Sequence, residues 1–416
     1  MEKQTKKIKE RYYLIERILA PVDHILRNKP VSGILLFVAV LISMIWINSS
    51  YAESYHTLWA THFKVGFGDF MIDKDLHHWI NDGLMAIFFF VIGLEIKREI
   101  MAGDLSTWKQ ASLPAAAAVG GMVVPAIIFY LINKGTPTVT GWGVPMATED
   151  IFILSLEYGA GFLVILAIAN MIGVRKTAFY GIVGILGVWV AFLYSGIHAT
   201  IAGVLIAMTI PSKTKLNRFG FITRVNILMT KLGETQEKKG DYLSDEQHHI
   251  VEKLKKERSK IEPPLQKLEH ALSPFVSFIV LPIFALANAG VVLHTEMFAD
   301  LTNQVSLGII LGLVLGKFLG IISFSALFVK FKISELPKGV SWGSLSGAAV
   351  MAGIGFTMSI FISELAFDSA EVRAQAKMAI LIASIIAGLI GMLLIQYFSK
   401  RTYRQAATME EEKAKN

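Results

Sequence analysis

Two adjacent carboxylic acids, Glu149 and Asp150, lie in the stretch GVPMATEDIFIL (residues 143–154), which is otherwise apolar or small. The surrounding sequence is typical of a membrane protein, where a charge near the bilayer centre costs about 2.5–3.5 kcal/mol on insertion scales. Ionisable groups that are retained at this cost mark ion or proton pathways by default. The pair therefore predicts an ion or proton site in this part of the chain.

Three further acids lie in or at the ends of apolar runs, and each has a competing structural explanation. Asp82, in WINDGLMAIFFFVIGLEI, lies about one turn into its run. It is either a first-turn acid that the helix dipole favours or part of an ion path. Glu95 precedes a charged run at residues 97–99, which favours a cluster that snorkels to the interface. Glu364 closes its run, which predicts an interfacial side chain.

A lysine and a histidine complete the set of candidates. Lys317, in LGIILGLVLGKFLGIISF, has about twelve apolar or small residues on either side, so its amine is too deep to snorkel easily. A buried ammonium needs a carboxylate partner or must lose its proton, and the candidate partners are Glu149, Asp150 and Asp82. His198, in YSGIHATIAGV, either titrates near neutral pH or is a structural residue at a helix start.

The composition sets the class of protein. Of the 416 residues, 53% are hydrophobic, and the mean hydropathy is +0.53. There is no cysteine, which excludes disulfides, thiol nucleophiles and thiolate metal sites. No phosphate loop, HExxH motif or nucleophile elbow occurs, so we expect neither an enzyme nor a bound cofactor. The net charge of +7 is concentrated in a few stretches of the chain. It therefore indicates how the protein is oriented in the membrane and does not indicate nucleic-acid binding.

Eleven apolar runs approach or reach the roughly 20 residues that cross a bilayer. Lys and Arg are concentrated in the N-terminal arm and in the tail, so the positive-inside rule puts both termini in the cytoplasm. Two ends on one side require an even number of crossings, whereas eleven is odd. Sides assigned forward from the N-terminus and backward from the C-terminus come into conflict near residues 155–161. Either the fourth run does not cross as a separate helix, or a crossing is absent here. The runs are residues 32–48, 79–96, 113–132, 143–156, 158–174, 178–194, 197–210, 275–293, 305–329, 345–363 and 376–397.

The same patterns divide the chain into five parts. One helix is expected in the charged loop, over SDEQHHIVEKLKKERSK, with Ser244 as its N-cap. The parts are a basic cytoplasmic arm (1–30), a first membrane block (31–211), the cytoplasmic charged loop (212–274), a second membrane block (275–398) and a cytoplasmic tail (399–416).

A short internal repeat links the two membrane blocks. ATEDIFIL (147–154) and FTMSIFIS (356–363) share Thr-x-x-Ile-Phe-Ile, and each follows a glycine-containing segment. Paired interrupted segments in two halves of a membrane protein indicate broken helices around a transport site. We therefore expect irregular backbone at mid-membrane in both places.

Several longer stretches resemble the NhaA-type sodium/proton antiporter family. They are WINDGLMAIFFFVIGLEIKREIMAGDLS, GWGVPMAT, SGIHATIAGVL, LEHALSPFVSFIVLPIFALANAGV, LGLVLGKFLGI and GIGFTMSIFISELAF. The resemblance extends from about residue 30 to 398 and implies an all-α polytopic inverted-repeat fold of twelve spans, with broken helices that cross mid-membrane.

The resemblance also implies roles for individual residues. Asp82 becomes an acid of the cytoplasmic ion funnel, Lys317 the membrane-buried lysine, and Thr148 part of the extended crossing. Either Glu149 or Asp150 is the family acid that follows Thr148, and a sodium site is expected at one of them.

The family's pH-response region is also represented in this sequence. Glu95, Glu269 and His270 match it, and we add His198 because a histidine can titrate near neutrality.

The implied function is export of Na⁺, with Li⁺ as a second candidate, in exchange for external H⁺. It would serve pH and sodium homeostasis in a bacterial inner membrane, with membrane lipid as a partner and a homodimer as a further expectation. One departure stands out, because the family's next helix, with its Asp-Asp pair, has no counterpart here. The alternative is therefore a family member that is inactive in transport or leaks protons.

Overall fold

The structure is a computed structural model of a predominantly helical chain. The part of the chain that it describes comprises residues 29–67, 70–103, 108–144, 156–195, 198–214, 216–235, 243–293, 300–337 and 340–415.

In the first half of the chain, the described residues form seven α-helices, a 3₁₀ helix and one hairpin. Four of the helices in the described parts of the molecule include a π-helical turn, and two of these turns, Trp79–Leu84 and Gly184–Trp189, lie here. The elements are α1 (Lys29–Ile47), α2 (Ala52–Trp59), β1 (His62–Phe67), β2 (Phe70–Asp75), α3 (Leu76–Met101), α4 (Trp108–Asn133), α5 (Leu156–Met171), α6 (Thr177–Ser195) and α7 (Ala199–Thr209).

The second half adds a helical hairpin and four further membrane segments. The expected loop helix is α9, and Ser244 caps it as predicted, because its hydroxyl accepts the backbone N–H of Gln247. The elements are α8 (Arg218–Glu234), α9 (Asp245–Ile261), α10 (Pro264–Asn288), α11 (Gln304–Lys330), α12 (Trp342–Met351), α13 (Phe356–Ala366) and α14 (Ala370–Lys415).

Length and hydropathy mark many of these helices as membrane spans. Within the described residues, six helices are long and apolar enough to cross a bilayer, or eight if each bent pair counts as one span. The bent pairs are α1 with α2, at 116°, and α12 with α13, at 45°. α5 and α7 are shorter apolar helices. The fold is therefore an all-α polytopic membrane protein, as the sequence predicts.

The bundle has two distinct ends. At one end, which we call the β end, β1 and β2 pair as an antiparallel hairpin with Lys64 opposite Asp73. The β end also contains the start of α3 and the end of α10, because Asn81 and Asn288 are hydrogen-bonded. At the other end, the α8–α9 end, the hairpin of α8 and α9 connects α7 to α10.

The helices alternate in direction between these ends, and this bears on the number of crossings. α4 ends at the β end, where the Asn133 side chain donates to the carbonyl of Gln304. α5 begins at the same end, because Gly159 lies against Phe192 near the end of α6. Ten described segments, including the short α5 and α7, therefore run from one end of the bundle to the other. Residues 145–155 lie outside the described residues, so the separate fourth span over 143–156 stays a prediction.

Close helix packing fixes the position of α11. α11 packs along α4, and a Cβ added to Gly120 would lie 2.1 Å from the carbonyl oxygen of Gly320. Only glycine permits this approach, because any side chain would separate the two backbones. Phe284 of α10 and Phe361 of α13 are buried in the same core.

Candidate functional site

Lys317 is the central residue of α11. It stands midway along this 27-residue helix, about 20 Å from either end at 1.5 Å per residue. A π-helical turn, Gly312–Gly316, ends directly before it. Such turns often occur at functional sites. No other described residue forms an ion pair or a hydrogen bond with this amine.

The break between α12 and α13 lies against the same part of α11. A Cβ on Gly353 would lie 2.4 Å from the carbonyl oxygen of Leu313, which stands one turn before Lys317. The freed backbone N–H of Phe356 donates to the hydroxyl of Ser384 at 3.3 Å. The break that the glycines predict is therefore present, and its backbone is partly satisfied by a neighbouring helix.

The other half of the internal repeat contains Thr148, Glu149 and Asp150, which lie outside the described residues, as does the sodium site expected there. The chain leads toward them through a 3₁₀ helix, Pro137–Gly143. Gly141 in this helix lies against Phe367, directly after α13. The chain thus approaches the acidic pair from the β end.

Asp82 lies in the π-helical turn of α3, close to the β end. The indole of Trp189 donates to its carbonyl oxygen at 3.0 Å, and His198 and His78 are close enough for their charges to interact with its carboxylate. The cytoplasmic ion funnel that the resemblance implies for Asp82 stays a prediction. The β end is opposite the Lys-rich α8–α9 end, and the positive-inside rule favours the external side for it.

The predicted pH-response residues divide between the two ends. At the α8–α9 end, the buried Glu269 accepts a hydrogen bond from the Arg98 guanidinium at 2.6 Å, and Glu95 is near enough to interact with that charge. His270 beside it is exposed. His198 lies instead near Asp82, so the structure does not bring all four residues together.

The cap of α3 at the β end involves a titratable acid outside the membrane segments. The Asp75 carboxylate accepts the backbone N–H of His78 and contacts its ring nitrogen, both at 2.7 Å. Partial burial would raise the pKa of Asp75, but these contacts outweigh it and hold that pKa below its ordinary value.

A cavity of about 600 Å³ opens at the β end. Glu364 lies in its wall, where Lys377 contacts the carboxylate at 2.5 Å and Arg373 at 3.4 Å. The side chains of Glu364 and Lys377 are only 11% and 14% exposed. The interfacial position predicted for Glu364 stays a prediction, and the structure adds that its carboxylate belongs to a buried ion-pair cluster. We call this group the Glu364 cluster.

A line of polar side chains leads from the cavity into the bundle. His77 lines the cavity and lies 3.4 Å from the amide of Asn81, which pairs reciprocally with Asn288. The amide of Asn288 also donates to the carbonyl of Phe284 at 3.0 Å. These groups form a hydrogen-bonded route one residue from Asp82.

Sequence reasoning missed the Glu364 cluster and the asparagine pair. A signal for the cluster was present, since ELAFDSAEVRAQAK places Arg373 and Lys377 one turn apart on the helix that follows Glu364. The pairing of Asn81 with Asn288 joins residues 207 apart in sequence, and spacing alone gives no sign of it. Among the described residues, no group of three His, Asp or Glu side chains could hold a metal ion.

Comparison with known proteins identifies the family. The model of the family described as Na+/H+ antiporter 1 matches residues 23–157 and 148–395. The Na(+)/H(+) antiporter NhaA of Oleidesulfovibrio alaskensis is 42% identical over 92% of this chain and 95% of its own length. This chain belongs to the Na+/H+ antiporter 1 family. Na(+)/H(+) antiporter NhaA 1 of Psychromonas ingrahamii and NhaA of Acidithiobacillus ferrooxidans are 39% and 38% identical, over 88% and 92% of this chain and 94% and 99% of their own lengths.

These relatives of the Na+/H+ antiporter 1 family contain residues that this chain lacks. The alignment with the first relative covers 427 positions, whereas 92% of 416 residues is about 383, so about 44 positions of the relative face a gap. The family model matches in two pieces that overlap at residues 148–157. A segment absent at this place would produce both observations, and residues 155–161 are where the two counts of crossings disagree.

Proposed function

We propose that this chain exports Na⁺ across a bacterial inner membrane in exchange for external H⁺, with both termini in the cytoplasm. Membership of the Na+/H+ antiporter 1 family and the names of its relatives support sodium/proton antiport. The concentration of Lys and Arg at the α8–α9 end supports the orientation. In this orientation the β end faces outward, and the exchange serves sodium and pH homeostasis.

The observation that carries the proposed mechanism is the location of Lys317. Its amine lies at the centre of α11, beside the break between α12 and α13, without an ion-pair partner among the described residues. A positive charge in this environment is costly unless a negative charge lies beside it during part of the transport cycle. We assign that second charge to the carboxylate of Glu149 or Asp150, which follows Thr148 in the other half of the repeat.

Exchange then follows from competition for one carboxylate. In a poorly hydrated site the carboxylate binds either a proton or Na⁺, because each neutralises its charge. When neither is bound, the Lys317 ammonium stabilises the carboxylate. Alternating exposure of the site to the two ends of the bundle carries the two ions in opposite directions.

The two ends supply the access routes in this proposal. The β-end cavity, with Asp82, His198 and the line from His77 to Asn288, leads external protons toward the centre. At the α8–α9 end, the pH-response group of Glu95, Glu269 and His270 adjusts access from the cytoplasm.

The experiment that tests this function measures ²²Na⁺ uptake into proteoliposomes that contain the purified chain, driven by a pH gradient. We expect uptake that stops when the gradient is collapsed, and at least a ten-fold loss in Glu149→Gln or Asp150→Asn, whichever removes the ion-binding carboxylate. Proteoliposomes with correctly inserted protein but without gradient-driven uptake would overturn the function. Full uptake in both variants would overturn only the assignment of the site.

A further inference from the structure

The wall of the β-end cavity contains more positive than negative charge at its buried side. Its four residues with permanent charge are Glu364, Glu371, Arg373 and Lys377. Glu371 is exposed, so water screens its carboxylate. The other three form the Glu364 cluster, in which the Arg373, Lys377 and Glu364 side chains are 30%, 14% and 11% exposed. Two cations therefore share one carboxylate, and the cluster has a net charge of one positive unit.

Several N–H groups of the same wall have no acceptor. Lys377 contacts only the Glu364 carboxylate among the described residues. The Arg373 guanidinium contacts that carboxylate through Nε, and one of its two terminal nitrogens donates to the carbonyls of Phe367 and Asp368 at 2.9 Å. The other terminal nitrogen has no acceptor within the part of the chain that the structure describes.

Trp59 provides an independent sign of a missing acceptor. It lines the cavity, and its indole N–H is buried without a hydrogen-bond partner among the described residues. A buried donor without a partner is costly, and in native proteins it usually has a water molecule or an ion as its acceptor. Water satisfies a donor but does not balance a net charge. The donors and the charge of the Glu364 cluster together favour an anion.

The beginning of α14 adds to this preference. Ala370, Arg373 and Ala374, all within its first five residues, line the cavity. The N-terminus of a helix has a partial positive charge and backbone N–H groups without intrahelical acceptors. The two histidines of the wall, His56 and His77, add only positive charge when they are protonated.

We propose that the wall formed by Trp59, Arg373 and Lys377 binds a small monovalent inorganic anion of the chloride type, taken from the solution at the β end. One such anion balances the net charge of the Glu364 cluster and accepts the free N–H groups. The cavity, at about 600 Å³, has room for water beside it, through which the anion exchanges with the solution. This site is separate from the sodium site beside Lys317.

Iodide tests the proposal directly, because it quenches tryptophan fluorescence on contact and Trp59 lies in the wall. The full-length protein in detergent is titrated with sodium iodide in place of sodium gluconate, so that the Na⁺ concentration and the ionic strength stay constant. The same titration of Trp59→Phe is subtracted, which isolates the contribution of Trp59 among the seven tryptophans of the chain.

We expect the quenching of Trp59 to reach a plateau and chloride to relieve it by competition. Ala370→Asp adds a carboxylate at an exposed position of the wall, and it should raise the iodide concentration for half-quenching at least about five-fold. The matched change Ala370→Asn has nearly the same shape without the charge and should leave that concentration unchanged. Neither variant removes a contact of the Glu364 cluster.

A second pair of variants compares two paired lysines. Lys377→Gln should abolish the plateau, whereas Lys64→Gln should not, because Lys64 pairs with Asp73 outside the cavity. Quenching that rises without a plateau would overturn the proposal, as would quenching that chloride does not relieve. Equal half-quenching concentrations for the two Ala370 variants, or a plateau retained in folded Lys377→Gln, would also overturn it. These measurements involve no transport, so their failure is distinct from a failure of antiport.

Discussion

Lys317 and Lys377 are both lysines within the apolar helices of the bundle, but their surroundings differ. Lys377 contacts Glu364 at 2.5 Å, and Arg373 contacts the same carboxylate at 3.4 Å. Lys317 has no such partner among the described residues and lies beside the break between α12 and α13. A paired buried charge contributes to the folded structure, whereas an unpaired one is retained for what it does.

This difference predicts opposite consequences when the two charges are removed. Loss of Lys317 should cost transport but not stability. Loss of Lys377 should cost stability, because the carboxylate of Glu364 stays buried with one partner fewer. The following predictions test this contrast in order of decreasing effect.

The largest effect is expected for Lys317→Met, which keeps an unbranched side chain one atom shorter and removes its charge. Gradient-driven Na⁺ uptake should fall at least ten-fold, because the empty ion site loses its neutralising charge. The thermal unfolding midpoint in detergent should stay the same or rise, since an unpaired buried charge is removed. Unchanged uptake would show that Lys317 takes no part in exchange.

The second effect is expected for Lys377→Met. The free energy of unfolding should fall by about 3 kcal/mol, as for other broken buried ion pairs. Uptake per correctly folded molecule should fall much less than in Lys317→Met. If Lys377→Met abolishes uptake without loss of stability, the Glu364 cluster belongs to the transport site, and the contrast between the two lysines fails.

The third effect concerns the backbone break beside Lys317. Gly353→Ala should lower the free energy of unfolding by about 2 kcal/mol, because the added Cβ collides with the carbonyl oxygen of Leu313. Gly161→Ala is the matched control, since nothing lies within 4 Å of its added Cβ, and it should be neutral or stabilising. Equal unfolding midpoints for the two variants would refute the close packing of the break against α11.

A smaller effect is expected for Asn81→Ala. Asn288 would lose its reciprocal partner and keep only its bond to the carbonyl of Phe284, at a cost of about 1–2 kcal/mol. Asn226→Ala, on an exposed helix face, should change stability by less than about 0.5 kcal/mol. Thermal unfolding of both variants in the same detergent measures the difference.

The smallest effect is expected at the cap of α3. Asp75→Ala should cost about 1 kcal/mol at neutral pH, because the backbone N–H of His78 loses its acceptor. The pKa of Asp75 is lowered in the folded protein, so its contribution is present above the ordinary aspartate pKa and is lost as pH falls through the folded value. Unfolding curves of the two proteins should therefore converge in acid, and a constant difference would contradict the cap.

The apolar runs predict most of the fold, and the run over 143–156 is the one that the described helices leave untested. Ten of the eleven runs correspond to described helices, because a length near 20 apolar residues leaves little choice in a bilayer. Length does not separate the run over 143–156 from a crossing, because the run over 197–210 has the same 14 residues and forms α7. Residues 145–155 lie outside the described residues, and the packing of Gly159 against Phe192 fixes only the end at which α5 begins.

The candidate site is predictable to the extent that a charge interrupts an apolar run. Lys317 and Asp82 can be found in this way, and the glycines before Phe356 predict the break. The Glu364 cluster could not be predicted with the same certainty, because Arg373 and Lys377 lie on α14, beyond the end of the span that contains Glu364. Whether a charge is paired depends on how two helices pack, which periodicity does not report.

The most direct test of sodium/proton antiport uses everted membrane vesicles that contain this chain as written. A pH gradient is established by respiration, and NaCl is then added, with choline chloride as the control for ionic strength. Antiport predicts that NaCl collapses the gradient and that choline chloride does not. An intact gradient after NaCl, with the protein shown to be inserted, would contradict the account and show that the chain does not exchange Na⁺ for H⁺.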